Sequence, residues 1–196
     1  MHLVCLDMEG VLLPEIWIHA AKRFRMDALK RTTREEPDYD KLMRYRIQIL
    51  RKEKIRLRDL QKIIAELKPL PGAAAFLSQL RKIAPVIILS DTYYEFALPL
   101  MKKLGDPVLF CNDLVTDSAG YLSGYRLRQK DGKRKAVIGL KKLGFQIHAA
   151  GDSYNDLTML RAADKGVLFN PPDSITKAHS DLPVARDYKT LLRLLQ

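Results

Sequence analysis

Acidic side chains directly follow two apolar segments of this sequence. Asp7 ends the segment 2–6, with Glu9 two residues later, and Asp152 ends the segment 145–151. Short apolar runs rich in strand-forming residues are typical of buried strands, and in an open α/β sheet ligands bind at the carboxyl ends of the strands. The first segment by itself favours a simple turn over a catalytic loop, so a chemical role depends on partners from later segments.

A hydroxyl and a basic cluster occur where those partners are needed. Ser90 ends a third apolar run, 85–89, and the basic cluster 133–135 precedes Asp152. Parallel strands would bring the two carboxylates, the hydroxyl and an ammonium to one edge of the sheet. That set suits phosphoryl transfer, because carboxylates hold Mg²⁺ while a hydroxyl and a lysine hold phosphoryl oxygens. A carboxylate can also act as the nucleophile and form an aspartyl-phosphate.

Helical periodicity fills the region after the first strand. Apolar residues at 16, 17, 20, 21 and 24 predict one helix, residues from Asp40 a second, and the apolar positions within 57–67 a third. The polar residues 31–40 contain a proline and predict a loop. Because no strand is predicted among these helices, we expect residues 14–68 to form a helical cap inserted into a sheet domain.

The rest of the chain alternates between strand and helix patterns. Strands are predicted at 85–91, 107–111, 145–152 and 166–169, a hairpin at 114–128, and helices at 73–82, 94–104, 133–143, 156–163 and 188–195. Continuous apolar strands between helices are typical of a buried parallel sheet. The sequence therefore predicts an α/β fold with a Rossmann-like three-layer parallel sheet, its core formed by residues 1–13 and 69–196.

Composition limits the class of protein. A chain of 196 residues, 47% of them hydrophobic, can bury the core of one domain with an insertion. The sequence shows neither a leader pattern nor an apolar run of the ~20 residues that a membrane helix needs, which predicts a cytoplasmic protein. Cys5 and Cys111 lie in or at the end of apolar runs, and we expect both to be buried reduced thiols.

Charge indicates an anionic ligand. The formal net charge is +11, and residues 21–68 hold sixteen Lys or Arg against eight Asp or Glu. Such a field attracts small phosphorylated metabolites and nucleic acid alike, and charge does not distinguish between them.

Four segments together resemble the haloacid dehalogenase superfamily of phosphatases. They are Asp7-Met8-Glu9-Gly10-Val11, Ser90 after its strand, Lys133 at the start of a helix, and Gly151-Asp152-Ser153-Tyr154-Asn155-Asp156. Within the superfamily the chain resembles the phosphoserine phosphatases. It is most similar to the bifunctional subgroup that also acts as a phosphoserine:homoserine phosphotransferase, which shares the segment Pro14-Glu15-Ile16-Trp17-Ile18.

The resemblance implies roles for the acids. Asp7 would be the nucleophile and a Mg²⁺ ligand, and Asp152 a second ligand, with Asp156 orienting a metal-bound water from the second shell. Glu9 would act as general acid and then general base, and its backbone carbonyl would contact the metal. Glu9 replaces the usual second Asp of the superfamily, and its extra methylene moves the acid by about one bond length relative to the water that it would activate.

The resemblance also implies a substrate-binding set. Ser90 and Lys133 would grip the phosphoryl group with help from Asn155, although Lys133 is chosen over its basic neighbours only by its distance from Asp152. Glu15 would bind the substrate ammonium and Arg46 its carboxylate. Without the resemblance, Glu15 would be a first-turn helix acid and Arg46 a solvated surface cation.

The resemblance implies Mg²⁺-dependent hydrolysis of phosphoserine, with transfer of the phosphoryl group to homoserine as a second branch. One alternative is a phosphatase for another small phosphomonoester. Another is a basic nucleic-acid-binding protein on an inactive phosphatase scaffold, which the region 14–68 disfavours because its aromatics do not alternate with its cations. The predicted partner is thus a small phosphorylated amino acid, with no membrane partner. The sequence does not indicate an oligomeric state.

Overall fold

A mostly parallel sheet forms the centre of the protein. The computed structural model describes residues 1–32, 35–36 and 38–196. Within them the strand order is β4-β3-β2-β1-β5-β6-β7, with β4 antiparallel to β3 and every other neighbouring pair parallel. The strands are β1 (His2–Leu6), β2 (Val86–Tyr93), β3 (Val108–Thr116), β4 (Leu122–Arg126), β5 (Gln146–Gly151), β6 (Lys165–Phe169) and β7 (Val184–Ala185).

Helices cover both faces of the sheet. They are α1 (Ile16–Phe24), α2 (Tyr39–Lys52), α3 (Leu57–Ile64), α4 (Ala73–Leu80), α5 (Tyr94–Met101), α6 (Gly132–Lys142), α7 (Leu157–Ala162), α8 (Asp173–Ala178) and α9 (Tyr188–Leu195). Alternate residues of β1 point to opposite faces. Val4 and Leu6 join the core cluster that includes residues of α4, α5 and α9, whereas Leu3 and Cys5 join the cluster with α6, α7 and α8. This arrangement confirms the predicted three-layer α/β fold.

The helices between β1 and β2 pack against the β3–β4 hairpin and α5. The Leu57 N–H donates to the carbonyl of Gly120 over 3.0 Å, and Gln61 Nε2 donates to the carbonyl of Glu95 over 2.9 Å. Helix α2 begins at Tyr39, one residue earlier than predicted, because the carboxylate of Asp38 caps the first turn. Residues 33, 34 and 37 of the predicted loop lie outside the described residues.

Three local expectations need correction. The strand predicted at 107–111 and the first arm of the hairpin form one continuous strand, β3, which makes β4 an antiparallel edge of the main sheet. Strand β2 continues past 91 to Tyr93, with an irregular register against β3 between Leu89 and Tyr93. Helix α8 and strand β7 are not predicted, because six and two residues are too short for a periodic pattern.

Both cysteines are free and buried, as the sequence predicts. Among the helices of the described residues, none is long and apolar enough to cross a lipid bilayer.

Candidate active site

The ends of β1 and β5 bring Asp7 and Asp152 together. The two strands pair in parallel up to Leu6 and Ala150, and the Asp7 N–H donates to the carbonyl of Ala150 over 2.9 Å. Gly10 follows with φ of +80°, and a Cβ at this position would overlap the carboxylate of Asp152. Glycine therefore supplies both the backbone conformation and the space that lets the second acid approach the first.

Lys133 joins two of the acids. Its Nζ lies 2.8 Å from Oδ1 of Asp7 and 2.7 Å from Oδ1 of Asp156, and it is almost completely buried. Burial lowers the pKa of Lys133, but the carboxylates of Asp156, Asp7 and Asp91 raise it by more. The pKa of Lys133 is therefore well above the ordinary value. The ammonium is therefore a permanent positive charge beside Asp7.

Asp156 is held on both carboxylate oxygens. Oδ1 accepts from Lys133, while Oδ2 accepts from the backbone N–H groups of Asp152 at 3.0 Å and Ser153 at 3.1 Å. Position 151 must be glycine, because a Cβ at this position would overlap the Asp156 side chain. This acid is thus a fixed support for the loop that carries Asp152.

Three carboxylates cluster here, although both oxygens of Asp156 already accept hydrogen bonds. Ligand oxygens of Asp7, Asp152 and Asp156 lie within 4.8 Å of one another. Burial, together with the neighbouring carboxylates, raises the pKa of Asp7 well above its usual range and that of Asp152 to about 7. One ammonium does not balance three carboxylates, so the group fits a divalent cation, for which carboxylate oxygens are suitable ligands.

Glu9 faces the first turn of α1. Its Oε2 accepts a hydrogen bond from the backbone N–H of Ile16 over 2.8 Å. Burial, with a contribution from the charge of Glu15, raises the pKa of Glu9 to about 8. A carboxyl group with that pKa is largely protonated at neutral pH, as a general acid must be.

The end of β2 supplies polar groups next to this cluster. Ser90 is buried, and its Oγ accepts from the N–H of Thr92 over 3.2 Å. The side chain of Asp91, which is half exposed, lies 3.6 Å from the Lys133 ammonium and accepts from Asn155 Nδ2 over 3.0 Å. Lys133 and Asn155, both predicted to bind the phosphoryl group, therefore meet at Asp91.

Arg46 lies on α2 but is buried, not solvated. Its guanidinium stacks over the ring of Trp17 at 4.4 Å and donates from Nη2 to the carbonyl of Arg31 over 2.7 Å. Its buried Nε has no hydrogen-bond partner within the described part of the chain. Burial lowers the pKa of Arg46, and the charges of Glu9 and Glu15 oppose that effect. Glu15, which is exposed immediately before α1, is close enough to Arg46 for its charge to act on the pKa of Arg46.

Comparison with known proteins identifies the family. A family model described as haloacid dehalogenase-like hydrolase matches residues 1–164. The chain belongs to the haloacid dehalogenase-like hydrolase family. The predicted superfamily is therefore confirmed, and the protein is an enzyme of the hydrolase class.

Relatives within this family cover nearly the whole chain. Phosphoserine phosphatase ThrH of Pseudomonas aeruginosa is 50% identical over 193 residues, which are 98% of this chain and 94% of the relative. A phosphoserine phosphatase of Pseudomonas syringae pv. tomato is 48% identical over 191 residues, covering 97% of this chain and 81% of that protein. A structure solved as a phospho-aspartyl intermediate analogue of phosphoserine phosphatase superposes with a TM-score of 0.80 at 20% identity, covering 100% of this chain and 99% of that chain. This last likeness concerns the fold.

Two features of this site are not predicted from the sequence. The first is the carboxylate of Asp91, although its place directly after Ser90 at the binding edge is a usable signal. The hydrogen bond from Ile16 to Glu9 has no sequence signal, because it depends on how α1 is oriented.

Proposed function

We propose that this hydrolase is a phosphoserine phosphatase. The observation that carries the proposal is the buried guanidinium of Arg46, whose Nε lacks a partner in the described residues and which lies near Glu9 and Glu15. A buried cation with an open donor is costly unless a ligand completes it. The carboxylate of phosphoserine would pair with Arg46, and its ammonium with exposed Glu15. The two similar relatives named phosphoserine phosphatase support the same substrate.

In the first half of the proposed reaction, a carboxylate oxygen of Asp7 attacks phosphorus. The bond from phosphorus to the serine oxygen breaks, and the protonated Glu9 gives its proton to the departing alkoxide. Lys133 already contacts Oδ1 of Asp7, which leaves Oδ2 to attack. Lys133, Ser90 and Asn155 would hold the phosphoryl oxygens and offset their charge.

In the second half, a water molecule replaces serine. The Glu9 carboxylate takes a proton from this water, whose oxygen attacks phosphorus and releases Asp7 and inorganic phosphate. We propose that Asp7, Asp152 and the backbone carbonyl of Glu9 would hold Mg²⁺, with Asp156 outside its ligands. When bound, this cation would offset the negative charge of the phosphoryl group and favour ionised Asp7.

We further propose that residues 14–68 act as a cap over a core of residues 1–13 and 69–196. In support, the N–H of Ile16, in the first turn of this segment, donates a hydrogen bond to Glu9, the proposed general acid. A closed cap excludes bulk water and selects the group that attacks the aspartyl-phosphate. Homoserine would replace water if the cavity holds a second amino acid, giving phosphoserine:homoserine transfer.

We also propose a cytoplasmic location, since both cysteines are free, as is usual in a reducing compartment.

The test is a panel of phosphomonoesters assayed with Mg²⁺, with and without homoserine. We expect phosphoserine to have the highest kcat/KM, and phosphohomoserine to appear if transfer occurs. If kcat/KM for phosphoserine is lower than for nucleotides or sugar phosphates, the protein would instead be a phosphatase for another small phosphomonoester. Salt-dependent retention on nucleic acid without hydrolysis of any ester would favour the nucleic-acid-binding alternative.

A further inference from the structure

Asp91 places a carboxylate where the bound phosphoryl group would compete with it. The irregular end of β2 buries Ser90 and Thr92 and turns Asp91 outward, so that half of its side chain is exposed. The backbone of Asp91 is fixed, because its carbonyl accepts from the side-chain amide of Asn112 over 3.0 Å. The carboxylate is therefore held at the rim of the site.

The partners of Asp91 are donors of the proposed phosphoryl-binding set. Its Oδ2 accepts from Asn155 and lies 3.6 Å from Nζ of Lys133. The Lys133 ammonium has three protons. Two are directed to Asp7 and Asp156, at 2.8 and 2.7 Å, which leaves one proton for Asp91 or for a bound phosphoryl oxygen.

We propose that Asp91 is a positioning residue that acts as an anionic placeholder for the phosphoryl group and weakens the retention of inorganic phosphate. This inference rests on the proposed phosphatase function. In the empty site the Asp91 carboxylate occupies Asn155 and neighbours Lys133 in place of a phosphoryl oxygen. When a phosphate dianion enters, both donors turn to its oxygens, and the Asp91 carboxylate remains beside a ligand of the same charge. Repulsion between them then favours release of the product.

The direction in which Asp91→Asn changes the affinity for phosphate distinguishes this role from a structural one. Asp91→Asn keeps the shape and an acceptor oxygen for Asn155 but removes the charge. Because like charges about 4 Å apart repel even when water screens them, we expect this variant to bind inorganic phosphate roughly tenfold more tightly. Loss of a merely structural contact would instead disorder Asn155 and weaken phosphate binding.

The experiment titrates inorganic phosphate into the full-length protein with Mg²⁺ by calorimetry, and also measures phosphate inhibition of p-nitrophenyl phosphate hydrolysis. Asp91→Asn is compared with Asp181→Asn, a control that removes a similarly exposed carboxylate paired with Arg161. Asp91→Glu should restore weak binding. We expect tighter phosphate binding in Asp91→Asn alone, and the gain should shrink at high salt.

Unchanged or weaker phosphate binding by Asp91→Asn would overturn the inference. A gain of the same size in Asp181→Asn would also overturn it, because the effect would then reflect net charge. Tighter binding by Asp91→Asn in a protein that prefers another ester would support the placeholder role and refute only phosphoserine as substrate. If Asp91→Asn binds no phosphate while the wild type hydrolyses p-nitrophenyl phosphate, the placeholder role fails and the phosphatase function stands; if no ester is hydrolysed, both proposals fail.

Discussion

The backbone N–H of Ile16, the first residue of α1, donates a hydrogen bond to Oε2 of Glu9 over 2.8 Å. The longer side chain of glutamate reaches the first turn of this helix from the loop after β1. An aspartate at position 9 would be shorter by one methylene, so the same contact would be lost. Glutamate in place of the family's usual Asp therefore goes together with a hydrogen bond that Glu9 accepts from the first turn of α1.

The first prediction concerns the proton carried by Glu9. Glu9→Gln keeps the length and the acceptor for Ile16 but cannot protonate a leaving alkoxide, so kcat/KM for phosphoserine should fall by about 10² to 10⁴. The loss of kcat/KM on p-nitrophenyl phosphate should be much smaller, because its phenolate leaves without a proton, whereas kcat should fall with both esters because Glu9 also serves as the base for the second half. Steady-state kinetics with both esters checks this. Equal losses of kcat/KM would show that Glu9 is not the general acid.

The second prediction concerns the nucleophile. Asp7→Asn should reduce turnover by at least roughly 10⁴, because the amide cannot attack phosphorus. Acid-quenched protein should carry covalent phosphate in the wild type and none in the variant. Lys133 keeps its contact with Asp156 at 2.7 Å, so the variant should remain folded, as circular dichroism can verify. Ordinary activity in Asp7→Asn would refute the assignment.

The third prediction concerns recognition of the substrate carboxylate. Arg46→Ala should raise KM for phosphoserine by about a hundredfold while lowering kcat far less, since a charge-assisted hydrogen bond in a buried site would be lost. Phosphoethanolamine, which lacks the carboxylate, should show little change in KM.

The matched control for that variant is Arg51→Ala. Arg51 also lies on α2, but it pairs with Asp117 and the carbonyl of Leu122 on the hairpin. Its KM for phosphoserine should stay close to that of the wild type. An unchanged KM in Arg46→Ala would mean that the carboxylate binds elsewhere.

The fourth prediction concerns pH and the cation. Burial and the carboxylate of Asp156 raise the pKa of Asp152 to about 7, so Mg²⁺ must displace a proton in acidic solution. Affinity for Mg²⁺ should therefore rise with pH through this range, by up to about tenfold per pH unit for the proton lost from Asp152. Calorimetric titrations between acidic and alkaline pH check this, and an affinity independent of pH would contradict it.

The same pKa sets the sign for stability. An acid whose pKa is raised by folding stabilises the folded state while it is protonated, and this contribution is lost as the pH rises through about 7. The metal-free protein should thus lose stability as the pH rises from the ordinary pKa of an aspartate to about 7. Mg²⁺ should raise the Tm more at alkaline than at acidic pH. Asp152→Asn should remove most of that difference.

The sequence by itself determined which polar residues end the strands, and it determined the class of fold. Asp7, Ser90 and Asp152 each follow an apolar run, and parallel strands must present such residues at one edge. The helical insertion was also predictable, because its periodicity is local. The short elements α8 and β7 were not, since tertiary contacts and not local pattern hold them in place.

Only the tertiary structure decided which groups meet within that edge. Successive residues of α6 point about 100° apart, so Lys133 faces Asp7 while Arg134 turns to Asp131. Likewise Arg46 is buried against Trp17 although its sequence neighbourhood is typical of a solvated face. Spacing along the chain fixes which residues can reach the site, but side-chain direction depends on how distant helices and strands pack.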